Sequence, residues 1–556
     1  MSRYSTTSIR RVDRRRFLKG SLVIGASGWA TSSLMDLGRT SSTVLANPIS
    51  SLKASISIDA AHVRHTINPN IYGAFIEHVG RCLHGGVYQE NSPLSDEQGF
   101  RKDVMRAASE WGVPILRWPG GIFASFYHWE DGIGAEDSRP SRHNAAWGTE
   151  ESNHFGTDEF IEYCRKIGAE PYICVNLQNG TGEGAANWVE YCNGTRNTSY
   201  ANLRRKYGHQ EPHRVRYWGL GNELWGMGTE AYAKAALECG KLMKRVDPSI
   251  RLVACGLPGL PLPALRKIGI DPEWNRVVLE KLINIADYIS LHEYEGNEDY
   301  YEELGSAQRF EGNLKSLAAA IELTDSLRGK DPMLAGSLPG IKTKRPVEIA
   351  CDEWNIWYRR HDLPPPHDIS EAVDEKYSLR DALWVASVLN LFQRMGDKVT
   401  MANIATMVNA IGTVFTSDQG MFLQTIYFPM KLYRHECGAL ALTSEVDSPT
   451  FSSKSFESVP YLDVSATLND TRKALSIAVV NRHREEPIRT TLAVRNARIG
   501  SPATAFEING AVPEIENSFA EPENVKIVEK GVGETGEKFD YVFPAHSITL
   551  LKLAVS

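Results

Sequence analysis

The chain has 556 residues, of which 42% are hydrophobic and 23% charged, and a formal net charge of −7. That length accommodates one large single-core domain and a smaller companion. Residues 1–46 hold eight Lys/Arg and two Asp/Glu, so the remainder stands at −13, which argues against nucleic acid or an anionic membrane as the main partner.

The basic start has its own logic. Asp13-Arg-Arg-Arg16-Phe-Leu-Lys19 is followed by the apolar stretch Gly20–Leu37 and then by Val44-Leu-Ala46, a small-residue cleavage site before Asn47. This is the order of a twin-arginine signal peptide over residues 1–46, and it predicts export to the periplasm or beyond. Gly, Ser and Thr interrupt the apolar stretch, so no stable membrane span is expected in the mature chain. The plainer alternative is a disordered basic tail or a nucleic-acid arm. Eight cysteines, at positions 82, 164, 174, 192, 239, 255, 351 and 437, form no CxxC pair. A protein folded in the reducing cytoplasm before export keeps such residues as buried free thiols rather than disulfides or zinc ligands.

Residues 47–70 contain one alternating strand, Ser55-Ile-Ser-Ile-Asp59. A lone strand cannot bury its own face, so it is expected to pair with the C-terminal strands. Between 71 and 434, eight β-rich runs alternate with helical segments such as Glu230–Val246. The runs are Ile71–Glu77, Val113–Arg117, Pro171–Leu177, Arg214–Leu220, Arg251–Cys255, Tyr288–Tyr294, Val347–Cys351 and Val399–Met407. The pattern is that of an α/β fold, a (β/α)8 TIM barrel, with functional groups at the carboxyl ends of its strands. An open doubly wound sheet fits less well, because no Gly-rich nucleotide loop follows the first run. Residues 435–556 read as an antiparallel β-sandwich, with alternating strands near Tyr461–Leu468, Ala474–Val480, Thr490–Val494 and Ser547–Leu553. No Gly/Ser/Pro linker precedes them, so an integral companion domain is preferred over a separate carbohydrate-binding module.

Two runs end in a carboxylate on the active rim of such a barrel: the fourth in Asn222-Glu223 and the seventh in Asp352-Glu353, each with Trp and Asn nearby. A retaining glycosidase needs two carboxyl groups, one to protonate the leaving oxygen and one to attack the anomeric carbon. Strands four and seven can aim Glu223 and Glu353 at one point. Asn222 can bond a sugar hydroxyl beside the reacting carbon. Asp352 rivals Glu353, and strand alternation lets only one of the two face the centre easily. Composition leaves that choice open.

The segments Arg117-Trp-Pro-Gly-Gly121, Trp129-Glu-Asp-Gly-Ile-Gly134, Gly221-Asn-Glu-Leu-Trp-Gly226, Ile289-Ser-Leu-His-Glu-Tyr294 and Asp352-Glu-Trp-Asn-Ile-Trp-Tyr358 resemble those of the α-L-arabinofuranosidases of glycoside hydrolase family 51. The resemblance runs from about residue 55 to the end. It implies net retention, release of terminal non-reducing α-L-arabinofuranosyl residues from arabinose-containing glycans, and no metal or organic cofactor. It implies Glu223 as acid/base and Glu353 as nucleophile. Asn222 matches the asparagine preceding the acid/base, Arg117 the arginine supporting the nucleophile, and Tyr294 the tyrosine touching it. His292, one inward position earlier on that strand, joins this network. Glu77 matches a sugar-binding glutamate, and Trp147 resembles a tryptophan lining the pocket. It also implies a homo-oligomer, commonly a hexamer.

Two positions depart from the pattern. Ile122 follows Pro-Gly-Gly where Asn is usual, and Thr406 stands where Gln is common. An apolar side chain cannot replace the hydrogen bonds of an amide, and a site built around a hydroxyl is sensitive to such a loss. Rival readings are therefore a retaining glycosidase for another sugar (a galactofuranoside or β-glucan), a carbohydrate-binding pseudoenzyme, and a glycosyl-transferring enzyme. The Pro-rich stretch Asp362–His367 is expected to form a rigid loop over the cleft or at a subunit contact, or else a plain surface loop.

Overall fold

Gly73–Phe75, Ile115–Trp118, Glu170–Cys174, Tyr217–Leu220, Arg251–Ala254, Tyr288–Glu295, Glu348–Ile356 and Val399–Ala405 are the eight parallel strands of a closed barrel, numbered 1 to 8 below. They are drawn from a computed structural model that describes residues 51–326, 346–358 and 373–556. The leader and the Pro-rich stretch lie outside the described residues. Each strand overlaps one of the eight predicted runs, and strand 8 closes onto strand 1 through the pairs Asn403–Gly73 and Ala405–Phe75.

The strands form because their runs are apolar on both sides, as a sheet covered by helices requires. All four residues of strand 4 and all seven of strand 8 are buried. Ile115, Tyr172, Tyr217, Val253, Tyr288, Ala350 and Met401, one from each of strands 2 to 8, form a single apolar layer. That layer makes the lower barrel a packed core rather than a pore. Counting in twos from it gives the residues one level higher on the inner face: Arg117, Gly219, Ser290 then His292 and Tyr294, Asp352 and Asn403. The apolar layer is therefore the floor on which the polar groups stand.

The C-terminal strands, with Leu52–Thr66, make a nine-stranded sheet. Leu52–Thr66 pairs antiparallel with Leu440–Asp447 and parallel with Ile488–Arg495, as the lone-strand argument expects. The central strand Ala474–Asn481 is split between two cores. Leu475, Ile477 and Val479 enter the core of the β-domain, whereas Ala478 and Val480 enter the core of the barrel. Ser547–Val555 repeats the division, with Leu551 and Leu553 on one side and Ile548 and Leu550 on the other.

The helix Leu379–Arg394 occupies the seam and is buried at every position from Leu379 to Gln393. Its polar residues are satisfied across the seam: Asn390 donates to Asp463 at 2.9 Å and accepts from Ser465 Oγ at 2.7 Å. All eight cysteines are free thiols, seven of them buried. Among the described residues no helix is long and apolar enough to cross a membrane.

Candidate active site

At the carboxyl ends of the barrel strands lies a cavity of about 240 Å³, lined by Glu77, Gly121, Ile122, Trp147, Glu223, Trp225, His292, Tyr294, Glu353, Trp357 and Thr406 among others.

Arg117 organises its base. From strand 2, NH1 donates to Glu353 Oε1 at 2.7 Å, NH2 donates to Asn222 Oδ1 at 2.5 Å, and Nε lies 3.5 Å from Asp352 Oδ2. The guanidinium stacks on the Phe75 ring at 4.7 Å. Burial opposes its charge, but the Asp352 and Glu353 carboxylates more than compensate and hold it firmly protonated. Because Oδ1 of Asn222 takes that bond, its Nδ2 has no partner among the described residues.

Glu353 takes a second bond from Tyr294, whose hydroxyl donates to Oε2 at 2.9 Å. Its side chain is 6% exposed, against 22% for Glu223. Glu223 sits just past strand 4 with a left-handed backbone, φ 50°, a conformation that non-glycine residues keep only where their surroundings impose it. His292 Nδ1 lies 2.8 Å from Glu223 Oε1 and 3.5 Å from Glu353 Oε2, and its Nε2 lies 3.3 Å from Asp352 Oδ1. Burial alone would keep this imidazole neutral. The surrounding carboxylates, Glu353 first, outweigh burial and push its pKa up to about 10. One carboxylate oxygen of Glu223 and one of Glu353 lie within 4.8 Å of each other.

Asp352 also faces inward, contrary to the argument from strand alternation. Strand 7 pairs Ala350 with Ser290 but Glu353 with His292, so three steps on strand 7 match two on strand 6. This bulge turns consecutive carboxylates toward the same centre. Asp352 occupies the deeper position, where it accepts from Tyr172 OH at 2.7 Å. Burial raises its pKa, but Arg117, His292 and Tyr172 together bring it below the ordinary value.

Glu77 follows strand 1 and accepts from Phe123 N and Trp147 Nε1, both at 3.0 Å. Burial, reinforced by the charge of Glu353, pushes its pKa up to about 7. The Gly120-Gly121 pair gives these groups room. A Cβ at Gly120 would meet Glu77 Cγ at 2.5 Å, and one at Gly121 would meet Glu353 Oε1 at 2.9 Å.

The structure thus brings all eight predicted site residues, Glu77, Arg117, Trp147, Asn222, Glu223, His292, Tyr294 and Glu353, to one cavity and its base. Sequence reasoning missed three others. Trp357 stacks edge-on against Tyr294 at 5.7 Å, Trp225 ties its indole to Gly256 O at 2.9 Å, and Gly121 supplies the close approach. All three lie inside the quoted motifs. The signal available was an aromatic or glycine immediately beyond a strand-end carboxylate or arginine. Ile122 lines the cavity and is 42% exposed. The Thr406 hydroxyl is spent on protein partners, donating to Ala410 O at 2.7 Å, contacting Val408 O at 3.0 Å and accepting from Cys82 Sγ at 3.5 Å.

Two other groups of side chains have the residue types of a metal site, His78–His84–Glu151 and Asp158–His209–His213. Trp118 Nε1 donates to His78 Nε2 at 3.0 Å, which places the imidazole proton on Nδ1, toward Glu151 at 2.6 Å. Arg165 likewise donates to His213 Nδ1, leaving Nε2–H for Asp158 at 2.8 Å. In both, the atom that would face a cation already carries a proton.

Comparison with known proteins agrees with this geometry. Residues 109–310 match the alpha-L-arabinofuranosidase 1 domain, and residues 352–547 match the alpha-L-arabinofuranosidase C-terminal domain. Alpha-L-arabinofuranosidase C of Emericella nidulans is 37% identical over 87% of this chain and 94% of its own length. The intracellular exo-alpha-(1->5)-L-arabinofuranosidase of Halalkalibacterium halodurans is 36% identical, covering 80% of this chain and 88% of its own. The structure of the GH51 alpha-L-arabinofuranosidase of Thermotoga petrophila superposes with a TM-score of 0.80 at 39% identity, over 90% of this chain and 100% of that one. With relatives this similar along nearly their whole lengths, the chain belongs to the α-L-arabinofuranosidases of glycoside hydrolase family 51.

Proposed function

We propose that this chain is a retaining, exo-acting glycoside hydrolase that releases terminal non-reducing α-L-arabinofuranosyl residues from arabinose-containing oligosaccharides and polysaccharides. The carrying observation is that Glu223 and Glu353 converge on the His292 imidazole, with one carboxylate oxygen of each within 4.8 Å of the other, as the close pair of a retaining enzyme requires. Retaining enzymes hold their carboxyl pair about 5–5.5 Å apart, whereas inverting enzymes need 6.5–9.5 Å to admit a water between them.

In this reading Glu223 protonates the glycosidic oxygen while Glu353, oriented by Arg117 and Tyr294, attacks C1. The C1–O bond to the leaving group breaks and a glycosyl ester of Glu353 forms. Water then attacks C1 as Glu223 takes its proton, which returns the sugar with its original configuration and frees Glu353. Esterification cancels the negative charge of Glu353, which favours the ionised, base form of Glu223 for this second step. Asn222, with Nδ2 unpartnered, would bind the 2-hydroxyl, and Glu77 with Trp147 would hold the far side of the furanose.

The test is hydrolysis of 4-nitrophenyl α-L-arabinofuranoside with the first-formed anomer followed by NMR. Appearance of the α-anomer first is expected; the β-anomer first would overturn the mechanism. A second reading, a galactofuranosidase, is favoured by one observation, the replacement of a hydrogen-bonding amide by the half-exposed Ile122. The galactofuranoside assayed in parallel separates the two.

Export by the twin-arginine route is supported by the feature order of residues 13–46 and by eight free thiols compatible with folding in a reducing compartment. One relative is named intracellular, so fractionation of cells with and without a functional twin-arginine translocase decides the point. The homo-oligomer that the family resemblance implies is read by light scattering.

A further inference from the structure

The connection that follows barrel strand 2 faces two cavities. Ile122 lines the catalytic cavity, and the next residue, Phe123, lines a second cleft of about 580 Å³. Further along, Ala145 lines the second cleft and Trp147 the first. The two spaces are therefore neighbours on the same rim of the barrel, on either side of this connection. Asn179, just beyond barrel strand 3, also lines the second cleft. Strand 3 pairs with strand 4, past whose end Glu223 stands.

The floor of this cleft is fixed. Phe123 stacks on the His78 ring at 4.3 Å, Asn144 Nδ2 donates to His78 O at 3.0 Å, and Asn153 Nδ2 donates to Pro140 O at 2.6 Å. The rim keeps bonding capacity in hand. Asn179 Oδ1 accepts from Asn176 at 2.6 Å, which leaves the Asn179 Nδ2 unspent among the described residues. Arg142 gives Nε and NH2 to Asp131 at 2.9 and 3.0 Å, and NH1 is left over. The exposed His128 and His143 bring further donors and acceptors. Among these polar groups stands the Phe126 ring, 37% exposed. A sugar offers an apolar C–H face, which an exposed phenyl ring covers, and hydroxyls that both donate and accept. An apolar ligand would strand the polar rim, and an ion of either sign would meet one like charge of the Asp131–Arg142 pair.

We infer that the cleft bearing Phe126, Arg142 and Asn179 is a distal glycan subsite, which holds a sugar residue of the chain to which the scissile arabinofuranosyl group is attached. The inference rests on the activity proposed above. It adds no chemical step: the subsite holds the leaving glycan while the C1–O bond is cleaved next door.

α-1,5-Linked arabinobiose and arabinotetraose present the same scissile bond and differ only in the length of the leaving glycan, so their kcat/KM ratio, taken from initial rates, reads the subsite. Wild type is expected to prefer the tetraose about tenfold, the scale of one or two net hydrogen bonds. Phe126→Ala and Asn179→Ala should each reduce that preference to about threefold or less while leaving the biose within about twofold of wild type. Both side chains are exposed, and thermal unfolding checks that the variants fold. Phe519→Ala, at an exposed phenylalanine of the β-domain outside the cleft, should leave the ratio unchanged. A tetraose-to-biose ratio within about twofold in wild type, or a ratio that neither cleft variant alters, overturns the subsite while the proposed function stands. Failure to hydrolyse 4-nitrophenyl α-L-arabinofuranoside and both oligosaccharides overturns the proposed function itself.

Discussion

His292 bridges to Glu223 through a 2.8 Å contact between Nδ1 and Oε1. Its pKa near 10 means that it does so as an imidazolium throughout the neutral range. The ordinary histidine value is about 6.5, so the folded state binds the extra proton between pH 6.5 and 10. The resulting stabilisation is complete below pH 6.5 and is lost as pH rises toward 10. Melting temperatures of wild type and His292→Gln, measured from pH 6 to pH 10, should converge as pH increases. A constant offset would mean that the imidazole is neutral and the charge balance of the site differs.

The two assigned carboxylates should respond differently to azide. Glu353→Ala is expected to lose at least about 10⁴-fold in activity and to be partly rescued by azide, giving a glycosyl azide of inverted configuration. Glu223→Ala should lose about 10²–10⁴-fold on alkyl glycosides, retain more activity on substrates with very good leaving groups, and give an azide of retained configuration. Near-normal activity in both variants on natural linkages would refute the assignment.

Gly121→Ala tests the close approach beside Glu353. The new methyl would lie 2.9 Å from Glu353 Oε1, which Arg117 holds in place. Displacing an attacking oxygen by a fraction of an ångström to an ångström can cost about 10²-fold in rate. A kcat loss of that order is expected, measured by steady-state kinetics on the folded variant.

Ile122→Asn restores an amide at the cavity wall. For 4-nitrophenyl α-L-arabinofuranoside, KM should fall about 3–10-fold, the range of one added neutral hydrogen bond, with kcat within about twofold. If KM rises instead, the isoleucine is itself a contact for the sugar that this enzyme uses.

Asp463 of the β-domain lies between two arginines, 2.8 Å from Arg394 and 3.6 Å from Arg482. Burial would raise its pKa, but both guanidiniums together hold it below the ordinary carboxylate value. Asp463→Ala leaves two cations without their shared partner and should lower unfolding stability by about 3–5 kcal/mol, read from a denaturant curve.

The barrel was legible because its runs are short, apolar and regularly spaced, so the period of the pattern was enough to place eight strands. The strand ends were legible for the same reason, and they presented Glu223 and Glu353 together. Choosing between Glu353 and Asp352 was not possible from alternation, because the bulge at that point is a property of the pairing of strands 6 and 7, which one strand's sequence does not carry. Family resemblance chose Glu353. Asn222 was legible from its place beside Glu223, Arg117 and Tyr294 came from the same resemblance, and the observed bonds among Arg117, Asn222, Tyr294 and Glu353 supply their physical reason. Trp357 and Trp225 escaped notice because a tryptophan after a strand reads equally well as core. The internal bonding of Thr406 depends on the fold of its own loop and could not be read from residue type.

The strand Ala474–Asn481 sends alternate side chains into two cores, and the C-terminal family match begins at residue 352, inside barrel strand 7. The working barrel and the β-domain are therefore one manufacturing unit. A minimal enzyme cut at residue 434 would bare the helix Leu379–Arg394 and remove Asp463 and Ser465, the partners of its Asn390 and Arg394. Anyone wishing to shrink, graft or recombine this enzyme has to move the β-domain with the catalyst, or rebuild that helix as a surface.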